Sequence, residues 1–187
     1  MPRPKTQTDA DVLDAAHRLL HAEGPEALTF ARLAFYCGLA PATLVQRFKS
    51  KDGLKQAALL FAWDKLDART AELARQVPKT PGGAIQLLCA LSGGYGGIEA
   101  YTRGLLVLRE DLSDPVLRAR GTAWRRALAK ALDQCFATCA GAPKDMGLLT
   151  ASHWQGSLLW WGFEPTEDIQ RYVETNLKRF IAAMLRD

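Results

Sequence analysis

His17 and His21 stand four residues apart, the spacing at which one helix face could offer two imidazoles to a metal. They form no HExxH pattern, so we read them as an ordinary helix-surface pair. Ser152 and His153 are sequence neighbours rather than a nucleophile and a base brought together from different elements, and no Gly-x-Ser-x-Gly occurs. The glycine-rich stretch LSGGYGGIEAYTRG, residues 91 to 104, lacks both a preceding strand and the GxxxxGK[ST] of a phosphate cradle. Cys37, Cys89, Cys135 and Cys139 form no CxxC pair and are too few for a disulfide scaffold, which suits a reducing compartment. Cys135 and Cys139 would share a helix face, where thiol sensing is conceivable, although buried apolar cysteine is the commoner state. The expectation is a chain with no catalytic residues, no metal and no cofactor.

The side chains with a coherent chemical purpose lie in FARLAFYCGLAPATLVQRFKSKDGL, residues 30 to 54. Here a short amphipathic run, a glycine and a second short run have the layout of a helix-turn-helix, in which the second helix projects sideways from its support. If Leu44 and Phe48 are the buried side of that second helix, then Pro41, Ala42, Val45, Gln46 and Lys49 lie on the exposed side. Small side chains allow close approach to base edges, Ala42 or Val45 can meet a thymine methyl, and Gln46 can bond adenine. Thr43, Arg47 and Lys51 are suitable donors to phosphate oxygens, and Arg32 is a further candidate DNA-binding residue. Arg3, Lys5 and two prolines would form a basic N-terminal arm able to follow the backbone or enter a minor groove.

The elements that must position these residues read as helices throughout, because apolar residues recur at three-four spacing and no Val/Ile/Thr-rich alternating run stands out. The fold class is all-α, with about nine helices. Helix one should begin at Thr8, which has capping-box spacing to Asp11, and bury Val12, Leu13, Ala16, Leu19 and Leu20 before Gly24-Pro25 ends it. Helix two should start near Thr29 and stop at Gly38, with Phe30, Leu33 and Ala34 inward. Pro41 should open helix three in its first turn. Ser50 should cap a long fourth helix running to Val77, broken by Pro78-Lys79-Thr80-Pro81-Gly82-Gly83.

Further helices are expected around residues 84 to 97, near 100 to 111, and after Ser113-Asp114-Pro115. The last of these carries an apolar stripe of Val116, Ala119, Ala123, Trp124, Ala127, Leu128, Ala131, Leu132, Cys135 and Phe136. Two final helices span roughly 145 to 162 and 166 to 185, with Thr166 as the expected cap of the last. The glycines of 91 to 104 should kink their helix and leave space.

Residues 12 to 59, VLDAAHRLLHAEGPEALTFARLAFYCGLAPATLVQRFKSKDGLKQAAL, resemble the DNA-binding domain of the TetR family of bacterial transcriptional regulators. The resemblance covers about a quarter of the chain. It implies an all-helical homodimer whose third helix enters the major groove and whose C-terminal domain binds a ligand that releases DNA. Thr29, Thr43 and Lys51 match the family's phosphate-contacting positions, and Phe48 matches a core aromatic. The family's usual tyrosine, histidine and serine are here Val45, Arg47 and Ala40, so a tyrosine hydroxyl contact and a serine cap are missing. Arg47 would replace the histidine's backbone contact with a permanent charge.

The region beyond is read from its own chemistry. Leu148, Leu149, Trp154, Leu158, Leu159, Trp160 and Trp161 make the eighth helix apolar nearly all round, so it needs two partners: its own core and a second copy of the chain. Leu148, Gly156, Leu159, Trp160, Tyr172, Leu177 and Phe180 are the candidate dimer residues, with Gly147, Gly156 and Ser157 allowing close approach. A ligand pocket among the central helices would draw on Tyr95, Tyr101, Arg103, Trp124, His153 and Trp154. The division expected is residues 1–52 for DNA and 53–187 for regulation and dimerisation.

The 187 residues are 48% hydrophobic, enough for a substantial core, and the formal charge of +4 permits a polyanionic partner without demanding one. Neither a secretory h-region nor a stretch of the roughly 20 apolar residues that span a bilayer is visible, so the expectation is a cytoplasmic protein with no membrane contact. The partners expected are a palindromic duplex operator, a second copy, and a small-molecule effector. The function implied is a repressor; the competing reading is a helical adaptor that binds another protein through its tryptophan-rich end.

Overall fold

The computed structural model describes residues 7–94 and 96–185. Among them it is all-helical: α1 Asp9–Glu23, a single 3-10 turn at Pro25–Ala27, α2 Phe30–Cys37, α3 Pro41–Phe48, α4 Lys51–Gln76, α5 Pro81–Ser92, α6 Ile98–Ser113, α7 Pro115–Phe136, α8 Met146–Trp161 and α9 Ile169–Met184. The all-α expectation holds. The N-terminal arm and Tyr95 lie outside the described residues.

Local chemistry sets the early boundaries. Thr8 accepts from the Asp11 N–H at 3.2 Å while the Asp11 carboxylate accepts from the Thr8 N–H at 3.0 Å, a reciprocal capping box at the start of α1. The Thr29 hydroxyl accepts from the Arg32 N–H at 3.2 Å and opens α2. Ser50 does the same for α4 through the Gly53 N–H at 3.0 Å. Pro41 occupies the first turn of α3, where its missing N–H costs nothing, and Ala40 before it supplies no side-chain cap.

The chain forms two compact units, Met1–Lys65 with Arg103–Gly121, and Leu66–Thr102 with Thr122–Asp187. In the first, Val12, Ala16, Leu19 and Leu20 of α1 bury against Leu28, Leu33, Ala34, Leu44, Leu54, Ala58 and Leu59, with Val107 and Leu117 added from farther along the chain. Leu44 is fully buried and anchors α3; its truncation to alanine would remove about 2–5 kcal/mol of packing. In the second unit, Leu87, Leu88, Leu128, Leu132, Trp154, Leu158, Val173 and Leu177 form a core with buried Tyr101 and Trp161.

Four expectations shift. Helix α5 begins at Pro81 rather than near residue 84, because Thr80 caps it through the Gly83 N–H at 3.2 Å and so draws Gly82 and Gly83 into its first turn. It stops at Ser92, so Gly93, Gly94, Gly96 and Gly97 lie between helices and kink none. In α7 Leu117 is buried in the first unit's core and Leu128, Leu132, Cys135 and Phe136 in the second's, whereas Val116 is half exposed and Ala119, Ala123 and Ala127 face outward; in the first unit packing selects the register of Leu117. Asp168, not Thr166, caps α9, accepting from the Gln170 and Arg171 N–H groups at 2.9 and 3.1 Å. Starting there places Ile169, Val173, Leu177 and Ile181 on one buried face at four-residue spacing.

Candidate nucleic-acid interface

Gly38 makes the turn between α2 and α3. Its φ of 63° is a left-handed conformation that glycine adopts without a Cβ penalty, and it closes α2 while letting α3 leave at an angle. With Leu44 sunk in the core and Phe48 half buried, α3 turns Pro41, Ala42, Val45 and Gln46 outward, and Val45 is 44% exposed. Thr43 sits half buried at the edge of this face. The face is slim, with no acidic side chain along the eight residues of α3. Lys49 ends the helix in a positive-φ conformation, its ammonium donating to the Gln46 carbonyl at 2.7 Å.

The three cations assigned to phosphate are each held by a carboxylate of their own unit. Arg32 pairs with Glu23, whose other oxygen accepts from the Tyr36 hydroxyl at 3.1 Å. The Arg47 guanidinium is 24% exposed; it donates to the Gln7 carbonyl at 3.0 Å and to the Asp9 carboxylate at 3.1 Å, tying α3 to the start of α1. Lys51 lies 3.4 Å from Glu26. None of these acids was singled out from sequence, because each lies nine to thirty-eight positions from its cation. Also unforeseen is the aromatic pair Phe35 and Tyr36 on α2, 85% and 57% exposed with ring centroids 6.0 Å apart. The signal was present: successive helical positions diverge by about 100°, so with Leu33, Ala34 and Cys37 inward both rings cannot be core.

Of the residues expected around a ligand, Tyr101, Trp124, His153 and Trp154 fall in the second unit, while Arg103 belongs to the first, where its Nε donates to the His21 carbonyl at 3.1 Å. The indoles are satisfied internally: Trp154 donates to Ser92 at 2.8 Å and Trp124 to Thr70 at 3.0 Å. Tyr101 packs edge-on against Trp161 at 5.8 Å. His153 stacks on Phe180 at 4.3 Å and its Nε2 is buried without a hydrogen-bond partner. A groove of about 450 Å³ in the first unit is lined by Asp11, Asp14, Arg18, Tyr36, Cys37 and Phe61, and one of about 200 Å³ lies between Arg126 and Leu148. Neither contains the expected ligand residues.

Helix α8 divides cleanly. Trp154, Leu158 and Trp161 are core, whereas Leu159 and Trp160, with Phe163 just beyond the helix end, are exposed, the last two by 67% and 76%. Leu148, Gly156, Tyr172 and Phe180 are half buried, and Leu177 is wholly buried in its own chain. Gly147 and Ser157 are also buried there; a Cβ on Gly147 would collide with the Ala129 carbonyl oxygen and come within 2.6 Å of the Asp133 N. Burial raises the Cys135 and Cys37 thiols above their ordinary pKa and takes Cys89 to about 11, which keeps them protonated and poorly nucleophilic at neutral pH. Among the described residues no three His, Cys, Asp or Glu side chains gather as a metal site, and no helix is long and apolar enough to cross a membrane.

Residues 12–58 match the family described as bacterial regulatory proteins, tetR family. No curated protein matches the sequence. Several solved structures share the fold. A transcriptional regulator from Rhodococcus sp. Rha1 superposes with a TM-score of 0.73 at 20% identity, over 95% of this chain and 96% of that one. A transcriptional regulator from Saccharomonospora viridis in complex with choline gives 0.70 at 18% identity, over 91% and 93%. The TetR-family regulator SCO4454 from Streptomyces coelicolor gives 0.69 at 20% identity, over 94% of each chain. The slim helix held by Leu44 is thus the third helix of the segment that matches the tetR-family model, and the chain as a whole shares its fold with solved TetR-family transcriptional regulators.

Proposed function

We propose that the protein is a homodimeric transcriptional repressor, non-enzymatic and cytoplasmic, that binds a palindromic duplex operator through residues 29–51 and is released by a small molecule. The observation that carries the reading is the outward face of α3. Pro41, Ala42, Val45 and Gln46 stand clear of the core and are small enough for α3 to approach base edges in a major groove. Thr29, Thr43, Arg32, Arg47 and Lys51 surround them as phosphate donors. In this reading residues 1–52 serve DNA binding and 53–187 regulation and dimerisation.

A second copy is the occupant that best suits the exposed side of α8. Trp160 and Phe163 lie 5.7 Å apart, next to Leu159, and nothing within 4 Å of Gly156 would obstruct a Cβ there. A helix with one apolar side in its own core and another in solvent is suited to a four-helix interface across a two-fold axis. One short recognition helix makes few base contacts, and two spaced about 34–36 Å apart read both halves of a palindrome.

For the effector, the buried Nε2 of His153, whose ring stacks on Phe180, is a polar atom still lacking a partner. The choline in the similar Saccharomonospora viridis structure supports a small-molecule ligand in this fold. Occupancy would bias α4, which contributes residues to both units, and a useful effector must bind the DNA-competent and DNA-free states with different affinity.

The test is selection of binding sites from random duplex DNA at near-physiological salt, where nonspecific attraction is suppressed. Recovery of a palindrome is expected. Absence of enrichment would overturn the repressor reading, and a persistent dimer without DNA binding would favour the adaptor. Sedimentation of Trp160→Ser tests the interface: a shift to monomer is expected, and an unchanged dimer would place the contact elsewhere.

A further inference from the structure

Asp9, Glu23 and Glu26 stand where an approaching duplex would have to take their cations. Arg47 is held by Asp9 at 3.1 Å, Lys51 lies 3.4 Å from Glu26, and Arg32 pairs with Glu23. The acids come from α1 and the turn that follows it; the cations come from α2, α3 and the start of α4, the segment read as facing DNA. We infer that these three carboxylates compete with phosphate for Arg47, Arg32 and Lys51 and so lower the affinity for every duplex, which holds back binding to one that offers backbone contacts alone. This rests on the DNA-binding reading.

The physical basis is an exchange. Each cation that turns to a phosphate gives up a carboxylate, and the freed carboxylate then stands near a polyanion. Exposed ion pairs are weak, so the exchange does not forbid binding. Nonspecific association, however, is almost wholly electrostatic, and the exchange diminishes it directly. A cognate site adds contacts to Pro41, Ala42, Val45 and Gln46 that do not depend on these cations, and these lift it above the level at which a random duplex is occupied. Arg47 has the firmest hold, because the Gln7 carbonyl at 3.0 Å shares its guanidinium with Asp9.

The experiment compares the full-length protein with a variant carrying Asp9→Asn, Glu23→Gln and Glu26→Gln, using a duplex of random sequence and a series of salt concentrations. Glu72→Gln, Glu164→Gln and Glu174→Gln together remove the same amount of negative charge outside the first unit and control for net charge. The first variant should bind random duplex about tenfold more tightly than the control, with a steeper salt dependence, and each single substitution about twofold. Thermal melts of the single variants confirm that the fold is kept. A variant that binds no tighter than the control, or more weakly, overturns the inference and leaves the DNA-binding reading standing. A wild-type protein and variant that both bind no duplex even at low salt would remove that reading, and this inference with it.

Discussion

Trp63 of α4 donates its indole N–H to the carboxylate of Asp111 on α6 across 3.0 Å, inside the unit that carries the helix-turn-helix. Burial is the dominant influence on Asp111 and raises its pKa to about 6; the indole hydrogen bond opposes this, and Asp114 and Glu110 add to it. Raised above its ordinary value of 3.8, the group contributes stability that is complete below about pH 3.8 and lost as pH rises through about 6. Asp111→Asn keeps an acceptor for Trp63 and removes the charge. We expect the variant to melt higher than wild type at pH 7 to 8, with the gap closing as pH falls from about 6 toward 4. A gap independent of pH would show that the carboxylate is not buried as described.

His17, expected on a helix surface, is half buried, and its titration has the opposite sign. Burial first, then the neighbouring His21 ring at 4.5 Å and the Lys65 charge, depress its pKa from 6.5 to about 4, against the pull of Asp14. A lowered pKa means stability present above about pH 6.5 and lost as pH falls through about 4. His17→Gln, made in the Asp111→Asn background so that the two titrations do not offset, should flatten the loss of melting temperature in that window. An unchanged acid limb would assign the loss to other groups.

In the second unit Trp154 is buried and its indole N–H donates to the fully buried Ser92 hydroxyl at 2.8 Å; the Ser92 O–H in turn donates to the Leu88 carbonyl at the same distance. Ser92→Ala strands the indole N–H away from water, so we expect a loss of about 1–3 kcal/mol by urea denaturation. In a Trp154→Phe background the same change should cost much less, and additive losses would deny the bond its role.

Gly147 lies where α8 starts against α7, its N–H donating to the Asp133 carboxylate at 2.7 Å. Any Cβ there meets backbone atoms, which cannot swing aside, so Gly147→Ala should destabilise by about 1–3 kcal/mol through overpacking. Gly156→Ala on the same helix, made in the Trp160→Ser background so that the proposed dimer contact does not enter, meets nothing within 4 Å in the chain and should leave the fold at least as stable, by up to about 1 kcal/mol of helix propensity. Equal effects at the two glycines would contradict the packing described.

The sequence by itself determined what depends on neighbours a few residues away. Thr8 with Asp11, Thr29 and Ser50 mark helix starts through bonds three residues long, Pro41 marks one by its missing N–H, and Leu44 with Phe48 defines the inner side of α3 by helical period alone. The helix-turn-helix was therefore legible, together with its outward residues. Only the tertiary structure decided which of two cap-capable residues two positions apart opens α9, because Ile169 must enter the core and so favours Asp168 over Thr166. The same holds for α7, whose alanine-rich surface offers more than one apolar stripe until Leu117 is packed. It also decided that Arg47 meets Asp9 across thirty-eight positions, that Arg103 serves the first unit, and that Trp161 is core while Trp160 is exposed. Charge pairing and burial are properties of who arrives from elsewhere in the chain, and residue type and spacing carry no record of that arrival.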